Sequence, residues 1–172
     1  ASLNLEEKVV VGDAMQTQRA LSSQIVDAGG DYVWIAKDNQ PKTRAAIELL
    51  FTPQKLVPGQ GCPPMDFVTA QTMEKEHGRL EERKITVSSM LNDYLDWPSV
   101  EQVFKLERRS TYEGSGKVHH EIQYGLTSLN AKQAPPEKLL KLIRSEWGIE
   151  NGLHYRRDVT FLEDKTRMTC KA

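Results

Sequence analysis

Residues 8–13, K-V-V-V-G-D, decide how the rest of the chain reads. Three consecutive valines closed by Gly12 and Asp13 have the pattern of a buried strand that delivers a carboxylate at its C-terminal end. Asp13 therefore stands where open α/β sheets place their ligands. Over residues 16–28, Ala20, Leu21, Ile25 and Ala28 recur at helical intervals, and Gly29 and Gly30 stop the helix. Residues 31–37, D-Y-V-W-I-A-K, read as a second buried strand. Pro41 opens another helix, at a position where its missing N–H costs nothing, and Ala45, Ala46, Leu49 and Leu50 supply an apolar face. Strand, helix, strand, helix implies a parallel pair and an α/β fold class.

The Pro- and Gly-rich residues 53–64 break this pattern, and the periodicity then changes. Residues 79–87, R-L-E-E-R-K-I-T-V, alternate, as do 103–109 and 117–124, the last two joined across Glu113-Gly114-Ser115-Gly116. The middle section reads as an antiparallel β insertion, with a short helix around residues 89–95. Pro135-Pro136 introduces a last helical region, residues 137–157, kinked or split near Gly148. The chain thus divides into an α/β part (1–52), a β-rich insertion (53–130) and a C-terminal helical part (131–172). In the last part Leu139, Leu140, Leu142, Ile143, Trp147 and Leu153 form the side to be buried. Glu146, Glu150, His154 and Arg157 fall at i, i+4, i+8 and i+11, one stripe of a helix surface. A carboxylate flanked by His and Arg suits metal and phosphate chemistry; a solvated charged face is the competing reading, and on spacing alone the stronger one.

Composition narrows the function classes. A chain of 172 residues with 27% charged and 38% hydrophobic residues is of one-domain, globular type. No apolar run reaches the length of a membrane span, and no signal segment opens the chain, so the cytoplasm is the default location. Cys62 and Cys170 form no C-x-x-C pair and no disulfide framework. A net charge of −1 means that a polyanionic partner has to be met by a local basic patch.

Five segments taken in order carry a resemblance: V-V-V-G-D-A-M-Q-T-Q-R, G-G-D-Y-V-W-I-A-K-D-N-Q-P, H-G-R-L-E-E-R-K-I-T-V, Y-G-L-T-S-L and W-G-I-E-N-G-L-H-Y-R-R-D-V-T-F-L-E-D. Together they resemble successive blocks of bacterial insertion-sequence DDE transposases, in the H-repeat-associated branch. The resemblance implies a ribonuclease-H-like catalytic core, here partial, with an antiparallel β insertion before the C-terminal catalytic helix. It also implies an Asp, Asp, Glu triad that binds two divalent ions, with Asp13 matching the second aspartate and Glu150 the glutamate. Hard carboxylate oxygens suit Mg²⁺ or Mn²⁺, and two such ions promote in-line attack at phosphorus during DNA cleavage and strand transfer. The implied partner is DNA, the implied setting the bacterial nucleoid. Arg157 matches a position at which the family places a phosphate-contacting Lys, and Glu146 stands where the family has Arg or His. His154 on the same stripe and Lys37 beside the second strand are further DNA-contact candidates.

The family's first aspartate lies on a strand upstream, whereas only twelve residues precede Asp13. The expectation is a truncated transposase catalytic domain, inactive alone, with the strand ending at Asp13 left as an open edge through which two copies pair. The alternative is a non-enzymatic remnant that acts as a DNA-contacting or self-associating module. A third reading, Asp13 as the acid of an unrelated α/β hydrolase, finds no nucleophile motif to support it. Among the remaining residues, Asn39 and Gln40 read as a polar turn, and His77 and Arg79 open the insertion either as DNA contacts or, equally, as an exposed turn before a strand. His119 and His120 lack zinc-like spacing, Trp34 and Trp97 read as core, and Glu163 and Asp164 as a solvated loop.

Overall fold

The computed structural model describes residues 4–53, 65–76 and 78–149. Its elements in chain order are β1 (Val9–Gly12), α1 (Arg19–Asp27), β2 (Asp31–Ala36), α2 (Pro41–Phe51), β3 (Val68–Glu76), β4 (Arg79–Ser88), β5 (Gln102–Tyr112), β6 (Val118–Thr127) and α3 (Pro136–Ile149). One mixed sheet contains every strand, in the order β1-β2-β6-β5-β4-β3. The expected parallel pair is β1 and β2, with Val9 opposite Asp31 and Gly12 opposite Trp34. The other neighbours are antiparallel, and β6 joins the two kinds of sheet by pairing with both β2 and β5. The insertion is therefore a continuation of the α/β sheet.

Alternation on β2 assigns the two faces. Tyr32, Trp34 and Ala36 enter a core with Ile25, Ile47, Trp97, Val103 and Leu126, beneath α1 and α2. Val33 and Ile35 enter the opposite core with Ile85, Phe104, Leu106, Leu139, Leu140 and Ile143, beneath α3. A strand covered on both faces needs a near-continuous apolar sequence, which is what 31–36 supplies. Helix α3 touches β3 and β4 on one side and β1 on the other, so the sheet curls around it.

The direction of α3 follows from strand register. Strand β6 runs antiparallel to β2 and ends with Thr127 opposite Val33, so the chain leaves the sheet near the start of β2. Further along α3, Arg144 reaches Glu74. Glu74 lies in the row Glu74–Glu81–Ser110–His119, beyond the Tyr124–Ala36 pair that closes β2. Helix α3 therefore runs toward the end of the sheet where β1 stops and Asp13 begins.

Helix α1 ends as its sequence indicates: Gly29, at φ 81°, sends its N–H to Val26 O at 2.9 Å, and Gly30 N–H reaches Ile25 O at 2.9 Å. Ser22, in the middle of α1, is buried and accepts from two indoles, Trp34 Nε1 at 2.9 Å and Trp97 Nε1 at 3.2 Å. Both tryptophans are core, as expected. Replacing Ser22 with Ala leaves two buried indole N–H groups without this acceptor, and a loss of about 2–4 kcal/mol is expected by chemical denaturation. Fluorescence of the two tryptophans reports the same transition; an unchanged midpoint refutes the shared role of the hydroxyl.

Several expectations are corrected. The buried face of α2 is centred on Ile47, with Leu50 and Phe51 packed alongside, whereas Leu49 is 64% exposed and Ala45 faces solvent. Residues 89–95 form consecutive turns in place of a helix, because Asp66 accepts from Ser88 Oγ, Ser89 Oγ and Ser89 N and fixes the chain there. Helix α3 includes Gly148 and is described as far as Ile149. An additional strand, β3, flanks β4 at the edge of the insertion. No helix among the described residues is long and apolar enough to cross a membrane.

Candidate functional site

Asp13 follows directly on β1 and is exposed. Val9 and Val11 pack on the α3 side of the sheet and Val10 on the other, so the alternation of β1 carries Asp13 to the α3 side. The Asp13 carboxylate accepts Met15 N–H at 2.8 Å through Oδ1, an Asx turn that makes the chain leave the strand sharply. Thr17 Oγ1, wholly buried, lies 2.8 Å from Ile35 O and 3.0 Å from Asp13 O, tying the turn to β2. From the start of α2, Asn39 Nδ2 donates to Ala14 O, and Gln40 Nε2 donates to Thr17 O at 3.1 Å. The segment read as a polar turn before Pro41 thus also fastens the turn that carries Asp13. Gly12 is required beneath it, since a Cβ there would meet the Trp34 ring and stand 2.9 Å from Gln16 Cβ.

Lys37 is exposed one residue beyond β2, at the same end of the sheet. It lines a small cavity of about 210 Å³ with Arg44 and Glu121. Glu150, His154 and Arg157 lie outside the described residues, as do His77, Cys62, Cys170, Glu163 and Asp164. Among the described residues no group of three His, Cys, Asp or Glu side chains is placed to hold a metal ion. His120 is exposed, with Nε2 3.8 Å from a Glu107 oxygen.

A second charged centre was not anticipated. Glu81 is buried on the α3 side of β4, in phase with Ile85 and Val87. Its carboxylate meets Arg83 at 2.6 Å, Arg79 at 3.0 Å and Arg108. Glu74 on β3 meets Arg83 at 3.4 Å and takes both Arg144 nitrogens, one at 2.7 Å. Burial pushes the Glu81 carboxyl up, but the Arg108 hydrogen bond and the charges of Arg83, Arg108 and Arg79 together hold it below the usual carboxylate range. Arg79, the first residue of the strand read at 79–87, opens β4, with its guanidinium 6.0 Å from the Tyr112 ring centre. The signal available in the sequence was phase: in R-L-E-E-R-K-I-T-V, Glu81 alternates with Ile85 and Val87.

The "H repeat-associated putative transposase YhhI" of Escherichia coli strain K12 is 28% identical to the chain over 96% of its length. The chain belongs to the H repeat-associated transposase branch. "Putative protein YbfL" of the same strain matches at 28% identity over 96% of the chain. An uncharacterized protein encoded in the dhlA 3′ region of Xanthobacter autotrophicus matches 69% of it at 35% identity. The chain spans less than half the length of these relatives, 43% of YhhI and 38% of the Xanthobacter protein. No protein-family model matches the chain.

Proposed function

We propose that this transposase chain supplies part of a ribonuclease-H-like catalytic core, in which Asp13 and Glu150 hold Mg²⁺ or Mn²⁺ for cleavage and strand transfer of DNA. The observation that carries the reading is the convergence of two elements on one end of the sheet. Strand β1 stops at Gly12 and releases Asp13 there, and α3, whose last residue Ile149 directly precedes Glu150, runs toward the same end. The parallel β1-α1-β2 unit, with a helix on each face and an antiparallel extension, is consistent with that fold.

The donor chemistry fits a hard divalent cation. Oδ1 of Asp13 is occupied by Met15 N–H, whereas Oδ2 meets no hydrogen-bond donor among the described residues, on a side chain that is exposed. The ion, when bound, supplies Lewis-acid stabilisation of charge on phosphoryl oxygens. The protein's part is to hold the carboxylate at a fixed position and to fix the turn behind it. Arg157, His154 and Lys37 remain the proposed contacts to DNA phosphate, in keeping with the capacity of Arg for two-point contact to phosphate.

Calorimetric titration with Mn²⁺ tests this reading. Loss of a direct ligand in Asp13→Ala or Glu150→Ala is expected to weaken binding by more than the roughly 10–100-fold that loss of an outer partner causes. Unchanged binding in both variants refutes the site.

A further inference from the structure

We infer that Asn39 is a positioning residue for Asp13, holding the turn after β1 so that the second carboxylate oxygen, Oδ2, is presented to a divalent ion in one orientation. This rests on the reading of Asp13 as a metal ligand. Three observations carry it. Asn39 is exposed and covers no core, yet its amide donates to Ala14 O and lies 3.3 Å from Thr17 O, bridging both ends of the turn. Among the described residues it is the one side chain that reaches Ala14 O, the carbonyl next to Asp13; the other donor there is the Thr17 backbone N–H at 3.2 Å. The turn itself holds Asp13 through Met15 N–H, so movement of Ala14 is passed directly to the carboxylate.

The physical argument is preorganisation. A ligand carried on a loose turn has to be ordered when the ion arrives, and that ordering cost weakens binding. The cross-link from Asn39 orders the turn beforehand, with Gln40 and Thr17 securing its far end from the same side. Because Asn39 fills no cavity, its removal is expected to loosen the turn and leave the global fold in place.

The test uses the full chain with Mn²⁺ as the probe, comparing wild type, Asn39→Ala and Asp13→Asn. Amide hydrogen exchange at Met15 and Thr17 in the Asn39→Ala protein is expected to be about tenfold faster. Mn²⁺ affinity is expected to fall about tenfold, the low end of the range for an outer-shell partner, with the melting temperature within about 2 °C of wild type. Exchange rates and affinity equal to wild type overturn the inference. So does faster exchange spread across β1 and β2 with a lowered melting temperature, which marks a general structural role. Wild-type protein that binds no Mn²⁺, or an Asp13→Asn variant that binds it as wild type does, overturns the reading of Asp13 and the metal half of the inference with it. The exchange rates then still decide whether Asn39 holds the turn.

Discussion

Gly125→Ala is expected to destabilise the protein by about 3 kcal/mol or more, the upper end of what overpacking a core costs. Gly125 lies in β6 between Ile35 of β2 and Phe104 of β5, at the seam where the parallel pair meets the antiparallel strands. The Phe104 ring occupies the space a side chain at 125 would need. An added Cβ would overlap that ring and the Trp34 carbonyl oxygen. Phe104 and Trp34 are both fully buried, so neither swings aside without opening a core, and the carbonyl belongs to a paired strand. At roughly 2–4 °C per kcal/mol for a domain of this size, the melting temperature should fall by about 6–12 °C. Gly114→Ala is the matched control, since nothing lies within 4 Å of a Cβ there, and its effect should stay within about 0.5 kcal/mol. Trimming the ring in a Gly125→Ala/Phe104→Leu double variant should recover part of the loss, because the two sites share one volume. Equal melting of Gly125→Ala and Gly114→Ala would show that β6 does not pair with β2 in this register.

That seam marks the boundary of what the sequence discloses. Strands β1 and β2 and helix α1 are legible because burial on both faces leaves V-V-V and Y-V-W-I-A with no polar interruption, and Gly29 and Gly30 punctuate the helix. Strand β3 is not legible: over residues 68–75, V-T-A-Q-T-M-E-K, only Ala70 is buried, while Val68 and Met73 are more than half exposed. It is a strand because β4 offers it a row of backbone partners from Val68–Val87 to Glu76–Arg79. Local spacing in 89–95 suits a helix, but Asp66, over twenty residues away, takes the hydroxyls and N–H that set the turns. At the candidate site, the position of Asp13 follows from local pattern, since it needs only a strand and its end. The fastening of its turn does not, because Thr17 to Ile35 and Asn39 to Ala14 are contacts between segments 18 and 25 residues apart.

Glu81→Ala should cost about 3 kcal/mol, the lower end for breaking a buried ion pair, because Arg79 and Arg108 retain some access to water and can recover part of their hydration. The loss has two parts: three guanidiniums lose their shared counter-charge, and they are left repelling one another and Arg144 within a small volume. Burial already draws the Arg83 guanidinium below the ordinary arginine range against the pull of Glu81, so it has little hydration to fall back on. The pH dependence gives a signature that a simple packing loss lacks. The folded carboxyl titrates below its ordinary value of 4.5, so its contribution is complete above that pH and fades as pH falls through the folded value. In the isosteric Glu81→Gln variant, the stability deficit relative to wild type should be constant near pH 6–7 and shrink as both proteins are taken below about pH 4. A deficit that stays the same at acid pH would mean that shape, not charge, is what Glu81 contributes. Because Glu74 links the same arginines to Arg144 on α3, this charge cluster fastens the outer hairpin strands to the helix that leads to Glu150. Acid or substitution at Glu81 should therefore loosen α3 at its C-terminal end first, read as faster amide exchange around Arg144 and Ser145 than around Leu139 and Leu140.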